Sequence, residues 1–271
     1  MCPPTDLSRT YWALSLKPIA PAPVCLLMVG LIILSGCTLL QSSIRKNKEI
    51  QARMDLASSY LTNEQPRLAL RQLQAVQDLA DNNPDYHFLY GLISARLERR
   101  QEAAMHLKKA VHYQPDYAQA WNNLGEVYAS MGQNEKAREA FAHALKIPTY
   151  LTPEYPAYNL ARLYAQQGQT NLAVQSARQS IQYNPGFIPA ISLLSNLLTE
   201  ANQLQEAGDV LTQGLRASPG NVRLMQDLAE NLLRLGKQAQ ARQWFERIAH
   251  TADPQSEAAQ VAADYLEILP Y

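Results

Sequence analysis

The side chains best able to hold a metal or attack a substrate are few in this chain, five histidines and three cysteines among 271 residues. Cys2, Cys25 and Cys37 all fall within the first 37 residues, so no disulfide framework or cysteine metal site can hold the remainder together. His87, His106, His112, His143 and His250 never form a ligand pair of the HExxH kind, whose spacing sets two imidazoles on one helix face. They are expected as ordinary surface or half-buried histidines. Carboxylate pairs such as Asp81 with Asp85, or Glu135 with Glu139, have the right types for general acid–base work. They fall at turns and on helix faces, where solvated charge accounts for them. The nucleophile turn GxSxG and the glycine-rich phosphate loops do not occur in the sequence. The residues therefore read as a protein with no catalytic set, no metal, no cofactor and no small-molecule substrate. Acidic and basic residues balance at 24 each, which argues against a nucleic-acid partner, since phosphates need a basic excess.

One thiol keeps a chemical role. Arg9 and Lys17 precede an apolar run from Val24 to Leu34, and that run ends in Leu34-Ser35-Gly36-Cys37. A membrane-spanning helix needs roughly 20 apolar residues, so the run is short for an anchor. It resembles the bacterial lipobox, in which small residues fit a peptidase cleft and the cysteine thiol takes up the lipid. The resemblance implies that residues 1–36 are a signal peptide and that Cys37 is the lipidated residue; an uncleaved signal anchor is the alternative. Thr38 follows the cysteine where an aspartate would favour the inner membrane, which by the same resemblance implies the outer membrane with the mature chain in the periplasm. Residues 37–50, with Arg45, Lys46 and Lys48, are expected to form a polar tether beside the membrane.

The elements that must position any binding site repeat. A small residue recurs at Ala57, Gly91, Gly125, Ala161, Ser195 and Ala229, with gaps of 34, 34, 36, 34 and 34. An alanine recurs at Ala69, Ala103, Ala137, Ala173, Ala207 and Ala241 with the same gaps. Two independent series on one period identify a repeat array. In the clearest unit, Trp121, Leu124, Gly125 and Tyr128 share a first helix, and Ala137, Phe141 and Ala144 share a second. Small Gly125 and Ala137 let the paired helices approach while large neighbours interdigitate. Gly132 and Asn134 mark the turn, and Pro115, Pro185 and Pro219 stop second helices.

This pattern resembles the tetratricopeptide repeat. The expectation is an all-α right-handed superhelical solenoid, with six helix-turn-helix repeats over 51–253 and a C-terminal capping helix over 254–271, thirteen helices in all. Ala258, Val261, Ala262, Tyr265, Leu266 and Leu269 give the cap its apolar stripe. Arg53 and Ile191 stand in the aromatic place of Trp121, and Gly214 in the place of Ala144, so the first and fifth units are expected to be looser.

In tetratricopeptide folds the first helix of each hairpin lines the concave surface. The resemblance thus implies a partner-binding groove at Phe88, Leu92 and Arg96; at Asn122, Asn123 and Glu126; at Tyr158, Asn159 and Arg162; and at Ser192, Asn196 and Glu200. Asn123 and Asn159 occupy matching places in adjacent units. An amide donates and accepts at once, so the pair could hold an extended peptide's backbone, or could bond locally. Between them the gap lengthens from 34 to 36 over LKIPTYLTPEYPAYNL (145–160), where Pro148, Pro153 and Pro156 stiffen the chain beside Tyr150, Tyr155 and Tyr158. Aromatics on a rigid turn suit a binding hot spot, although a short insertion can also be a tolerated loop.

A narrower resemblance enters here. Asn122-Asn123-Leu124-Gly125, Ala144-Leu145, Pro148, Tyr150, Pro153-Glu154 and Ala157-Tyr158-Asn159-Leu160, together with the lipobox, look like the pilotin lipoproteins of type IV pilus systems. Members of that family help the pilus secretin reach the outer membrane and form its ring. The resemblance implies a secretin subunit as protein partner and membrane attachment through Cys37. Another envelope assembly scaffold, serving outer-membrane proteins or peptidoglycan machinery, shares the same features, and an enzyme or regulator with a groove site is the distant alternative.

Overall fold

The computed structural model describes residues 43–270, so Cys37 and the signal-peptide segment lie outside the described residues. Two compact units divide the chain, Met1–Ala52 and Arg53–Tyr271. In the first, residues 43–52 are helical, which includes the end of the segment expected as a tether.

The second unit holds the repeats, and its described residues form thirteen α-helices with no strand. They are α1 (53–62), α2 (Pro66–Gln74), α3 (Pro84–Arg96), α4 (Arg100–Tyr113), α5 (Ala118–Ser130), α6 (Asn134–Leu145) and α7 (Glu154–Gln166). They continue as α8 (Thr170–Tyr183), α9 (Ile188–Glu200), α10 (Leu204–Ala217), α11 (Val222–Arg234), α12 (Gln238–Thr251) and α13 (Glu257–Ile268). Consecutive helices pair into six hairpins, each packed on the next, and α13 closes the last against α12.

Both sequence series lie on the buried faces. All six alanines of the second helices are fully buried, as are Ala57, Ala161 and Ala229 of the first. A Cβ on Gly125 would stand 2.5 Å from Phe141 Cε1, and one on Gly91 would stand 2.6 Å from Leu107 Cγ. These glycines are what allows each pair to close. The cap forms through Ala262 and Leu269, which are buried, and through Tyr265 stacked on Phe245 at 4.4 Å. The Arg242 guanidinium donates to the carbonyls of Leu266 and Leu269, satisfying the end of α13 that lacks helical partners.

In the fifth unit, expected to be looser, Ile191 packs against Gly214: a Cβ there would meet Ile191 Cδ1 at 2.9 Å and Leu224 Cδ1 at 3.0 Å. Both departures from the pattern remove volume, and although Ile191 closes on Gly214, an open cleft of about 280 Å³ lined by the two remains beside them. In the first unit Arg53 donates to Gln72 Oε1 at 2.6 Å, so the place of the missing aromatic is taken by a polar link between α1 and α2.

The lengthened junction has a local cause. A proline at 148 disfavours helical backbone at 147, and α6 ends at Leu145, leaving 146–153 to connect to α7. Between α4 and α5 the connection is only 114–117. Pro153 precedes α7 and Pro156 lies in its first turn, where the missing N–H costs nothing.

Candidate functional site

The concave candidates gather where α5, α7 and the start of α9 meet. An open cleft of about 550 Å³ is lined there by Glu126, Tyr155, Tyr158, Asn159 and Arg162, with Ser130, Gln166 and Phe187 beside them. Helical periodicity accounts for the arrangement, since Tyr155, Tyr158 and Arg162 follow at i, i+3 and i+7 on one face of α7. Tyr155 and Tyr158 pack edge-on against Phe187, with ring centroids at 5.0 and 5.6 Å. The Arg162 guanidinium stands over the Tyr158 ring at 5.7 Å.

The turn that presents these rings is fastened from below. Glu154 is buried; its carboxylate accepts from Asn184 Nδ2 at 3.2 Å and its carbonyl from Ser180 Oγ at 2.8 Å, both from the α8 side. Tyr155 is therefore held on a rigid helix start instead of on a mobile loop.

Of the two roles open to the asparagines, the structure shows bonding within the protein. Asn159 is buried, and its Nδ2 donates to Asn122 Oδ1 at 3.1 Å and to Glu126 Oε1 at 2.8 Å. Asn122, also buried, donates to the same Glu126 oxygen at 3.1 Å. Both N–H groups of Asn159 are used in joining α7 to α5, which leaves none for a peptide backbone. Asn123 donates to Gln119 O of its own helix at 2.8 Å. The amide ladder is thus a structural tie, and Glu126, which also lines the cleft, accepts both bonds through Oε1.

Other candidates stand apart from this cleft. Phe88, Leu92 and Arg96 share a face of α3, with Phe88 packed on Tyr117 at 4.9 Å, and Asn196 is exposed on α9. Of the neighbouring residues on α9, Ser192 donates to Asp227 Oδ2 at 3.4 Å, while Glu200 is exposed. Burial holds the Asp227 carboxyl above its usual range, against the lowering effect of Arg223. Tyr150 lines a separate cleft with Asp85, Asp116, Tyr117 and the almost fully exposed Leu151. Phe187 was missed by the sequence reading. A signal existed: Phe88 with Tyr117 and Tyr158 with Phe187 are the same pairing, 29 residues apart in each case.

Two histidines also depart from expectation. His87 and His106 are buried, and their Nδ1 atoms lie 2.9 Å apart. His87 Nε2 lies 2.6 Å from the Asp81 carbonyl, which can only accept. His87 must therefore donate from Nε2 and accept at Nδ1 from His106 Nδ1–H. Burial, and then the neighbouring His87, push the His106 imidazole down to about 4, and burial lowers His87 too. No group of three or more His, Cys, Asp or Glu among the described residues could hold a metal ion.

Repeated paired helices with buried small residues at the crossing points and a concave cleft on the first helices define a helical-repeat binding protein. The chain belongs to the tetratricopeptide-repeat family, whose models match residues 54–107, 116–184 and 198–265. Among solved structures it is similar to PilW, a type IV pilus biogenesis factor, with a TM-score of 0.64 and 22% identity over 79% of this chain and 98% of that one. It is similar also to Pseudomonas aeruginosa PilF, with a TM-score of 0.65 and 16% identity over 81% of this chain and 98% of that one. Among curated proteins, Xenopus laevis tetratricopeptide repeat protein 37 is 33% identical over 89 residues, 33% of this chain and 6% of that protein. Human protein O-mannosyl-transferase TMTC3 is 25% identical over 62% of this chain. The match covers 17% of the transferase, so the chain spans only a small part of that protein's length.

Proposed function

We propose that this protein is a non-enzymatic scaffold tethered to the outer membrane through lipidated Cys37, and that its α5–α7–α9 cleft binds a type IV pilus secretin subunit. The observation that carries the reading is the aromatic cleft itself: two rings on the fastened start of α7 and a third, Phe187, at the start of α9, with the Arg162 guanidinium and the Glu126 carboxylate beside them to orient a ligand. Rigid aromatics lose little entropy on binding and dominate protein interfaces. What supports the partner is the junction sequence that resembles the pilotins, together with a fold shared with PilW and PilF over nearly their whole length. No helix among the described residues is long and apolar enough to cross a membrane; in this reading the lipid on Cys37 supplies the attachment.

The test is an immunoblot of heat- and detergent-resistant secretin multimers in outer membranes, with and without this gene. Loss of multimers with monomers retained is the expected result. Normal multimers would remove the secretin and leave a scaffold for a different envelope assembly.

A further inference from the structure

A second cleft, of about 400 Å³, uses the other side of α5 and lies between α4 and α6. Its floor is apolar, formed by the buried side chains of Val111, Leu124 and Ala140, with Trp121 and Tyr128 as walls. Trp121 is fixed: its indole N–H donates to the Pro115 carbonyl at 2.8 Å, and its ring stacks on His143 at 4.5 Å. Lys108, His112, Lys136 and His143 surround the floor, with Glu139 as the single carboxylate of the lining. Among the described residues neither Lys108 nor Lys136 has an ion-pair partner; Lys136 donates to the Gln133 amide oxygen at 3.0 Å.

The repeat supplies an internal control. Seventy residues further along, Arg178, Ile181, Ile191, Leu194 and Val210 form the equivalent cleft between α8 and α10. There the positions matching Lys108 and Lys136 are Arg178 and Glu206, and these two form an ion pair. There the two matching side chains neutralise each other. At the α4–α6 cleft both positions are cations, and the lining's one carboxylate, Glu139, forms an ion pair with neither, so the rim keeps a positive excess that an anionic partner complements.

We propose that the α4–α6 cleft is a second protein-docking site, which receives a partner segment carrying an apolar side chain flanked by carboxylates. The walled apolar floor takes one side chain, and the rim cations take the acids beside it. Trp121 and Tyr128 wall the apolar floor, a shape that suits one inserted side chain better than a flat phospholipid surface. This site is independent of the aromatic cleft, since it shares with it no residue named here.

The full chain would be titrated by fluorescence anisotropy with a fluorescein-labelled peptide in which leucine is flanked by glutamates, and with its glutamine-flanked counterpart. The glutamate peptide is expected to bind about tenfold more tightly, the scale of one partly desolvated charge pair. Lys136→Glu is expected to abolish that preference while leaving the fold intact, because it recreates the charge pattern already present at Arg178 and Glu206. Tyr158→Ala, in the other cleft, is expected to change nothing. Equal affinity for the two peptides, no binding of either, or a preference that survives Lys136→Glu would overturn the proposal. Binding of phosphatidylglycerol vesicles that Lys136→Glu removes, without any peptide preference, would assign the cations to a membrane and overturn it equally.

Discussion

At the scale of single residues, Asn159 and His106 show how position in a repeat conceals environment. Asn159 stands on the first helix where a groove residue belongs, yet Asn122 and Glu126 of the preceding first helix lie within its reach, and it bonds inward. That orientation depends on how α5 and α7 cross, which sequence spacing does not encode. His106 looked like a surface histidine because nothing local marks burial. It is buried by Tyr90, whose ring stacks on it at 3.8 Å, and by His87 from the facing helix. The charged and titratable groups around the pair are Tyr86, Tyr90, Asp81, Glu102, Lys109 and Tyr113.

A pH dependence follows from this burial. The folded His106 pKa of about 4 lies below the 6.5 of the unfolded chain, so the unfolded state binds more protons as pH falls. Stability is complete above the unfolded value and declines through the window from about 6.5 toward 4. Between pH 7.5 and 5 the loss should be about 2 kcal/mol. Denaturant melts of His106→Gln, whose amide can still donate to His87 Nδ1, should show a smaller difference between these pH values; an equal difference would place the sensitivity elsewhere. Gly125→Leu should cost about 3 kcal/mol by forcing Phe141 from its rotamer. Unchanged thermal stability there would contradict the close contact of α5 with α6.

At the scale of elements, the turn inside each hairpin is more regular than the residue types suggest. Glu64, Glu98, Gly132, Gly168, Asn202 and Gly236 all have φ between 57° and 72°, at the 34-, 34-, 36-, 34- and 34-residue spacing. Glycine announces the left-handed turn at three of these positions; at the others a glutamate or asparagine adopts it because the helix pairing demands it. A non-glycine residue there carries about 1 kcal/mol of strain, part of which a glycine returns as unfolded-state entropy. Glu98→Gly should therefore raise the melting temperature slightly, and Gly132→Ala should lower it. Opposite signs would mean that local helix propensity outweighs the turn. The Ile191 and Gly214 contact was hidden for a related reason: each departs from the pattern alone, and only the packing of α9 on α10 shows that they meet.

At the scale of the whole molecule, the period carried the fold. Thirteen helices, six hairpins and a cap follow from two series of small residues, because an array in which each unit touches only its neighbours is specified locally. The clefts were less legible. The aromatic one draws on α5, α7 and Phe187, whose residues spread over two repeat junctions, and the cationic one appears only when Lys108 and Lys136 are compared with Arg178 and Glu206. The proposed tether is separable from all of this. Cys37→Ser should leave the melting curve of the repeats unchanged and shift the protein out of the membrane fraction, and full retention in membranes would point to an uncleaved anchor.

The aromatic cleft as the secretin-binding surface is tested most directly by a photo-crosslinker, p-benzoylphenylalanine, placed at Tyr158 of the full-length protein in cells. The account predicts an ultraviolet-dependent adduct that contains the secretin, and no such adduct from the exposed Gln101 on α4. An adduct with some other protein, or none from Tyr158 while the protein is present at normal levels, would contradict it.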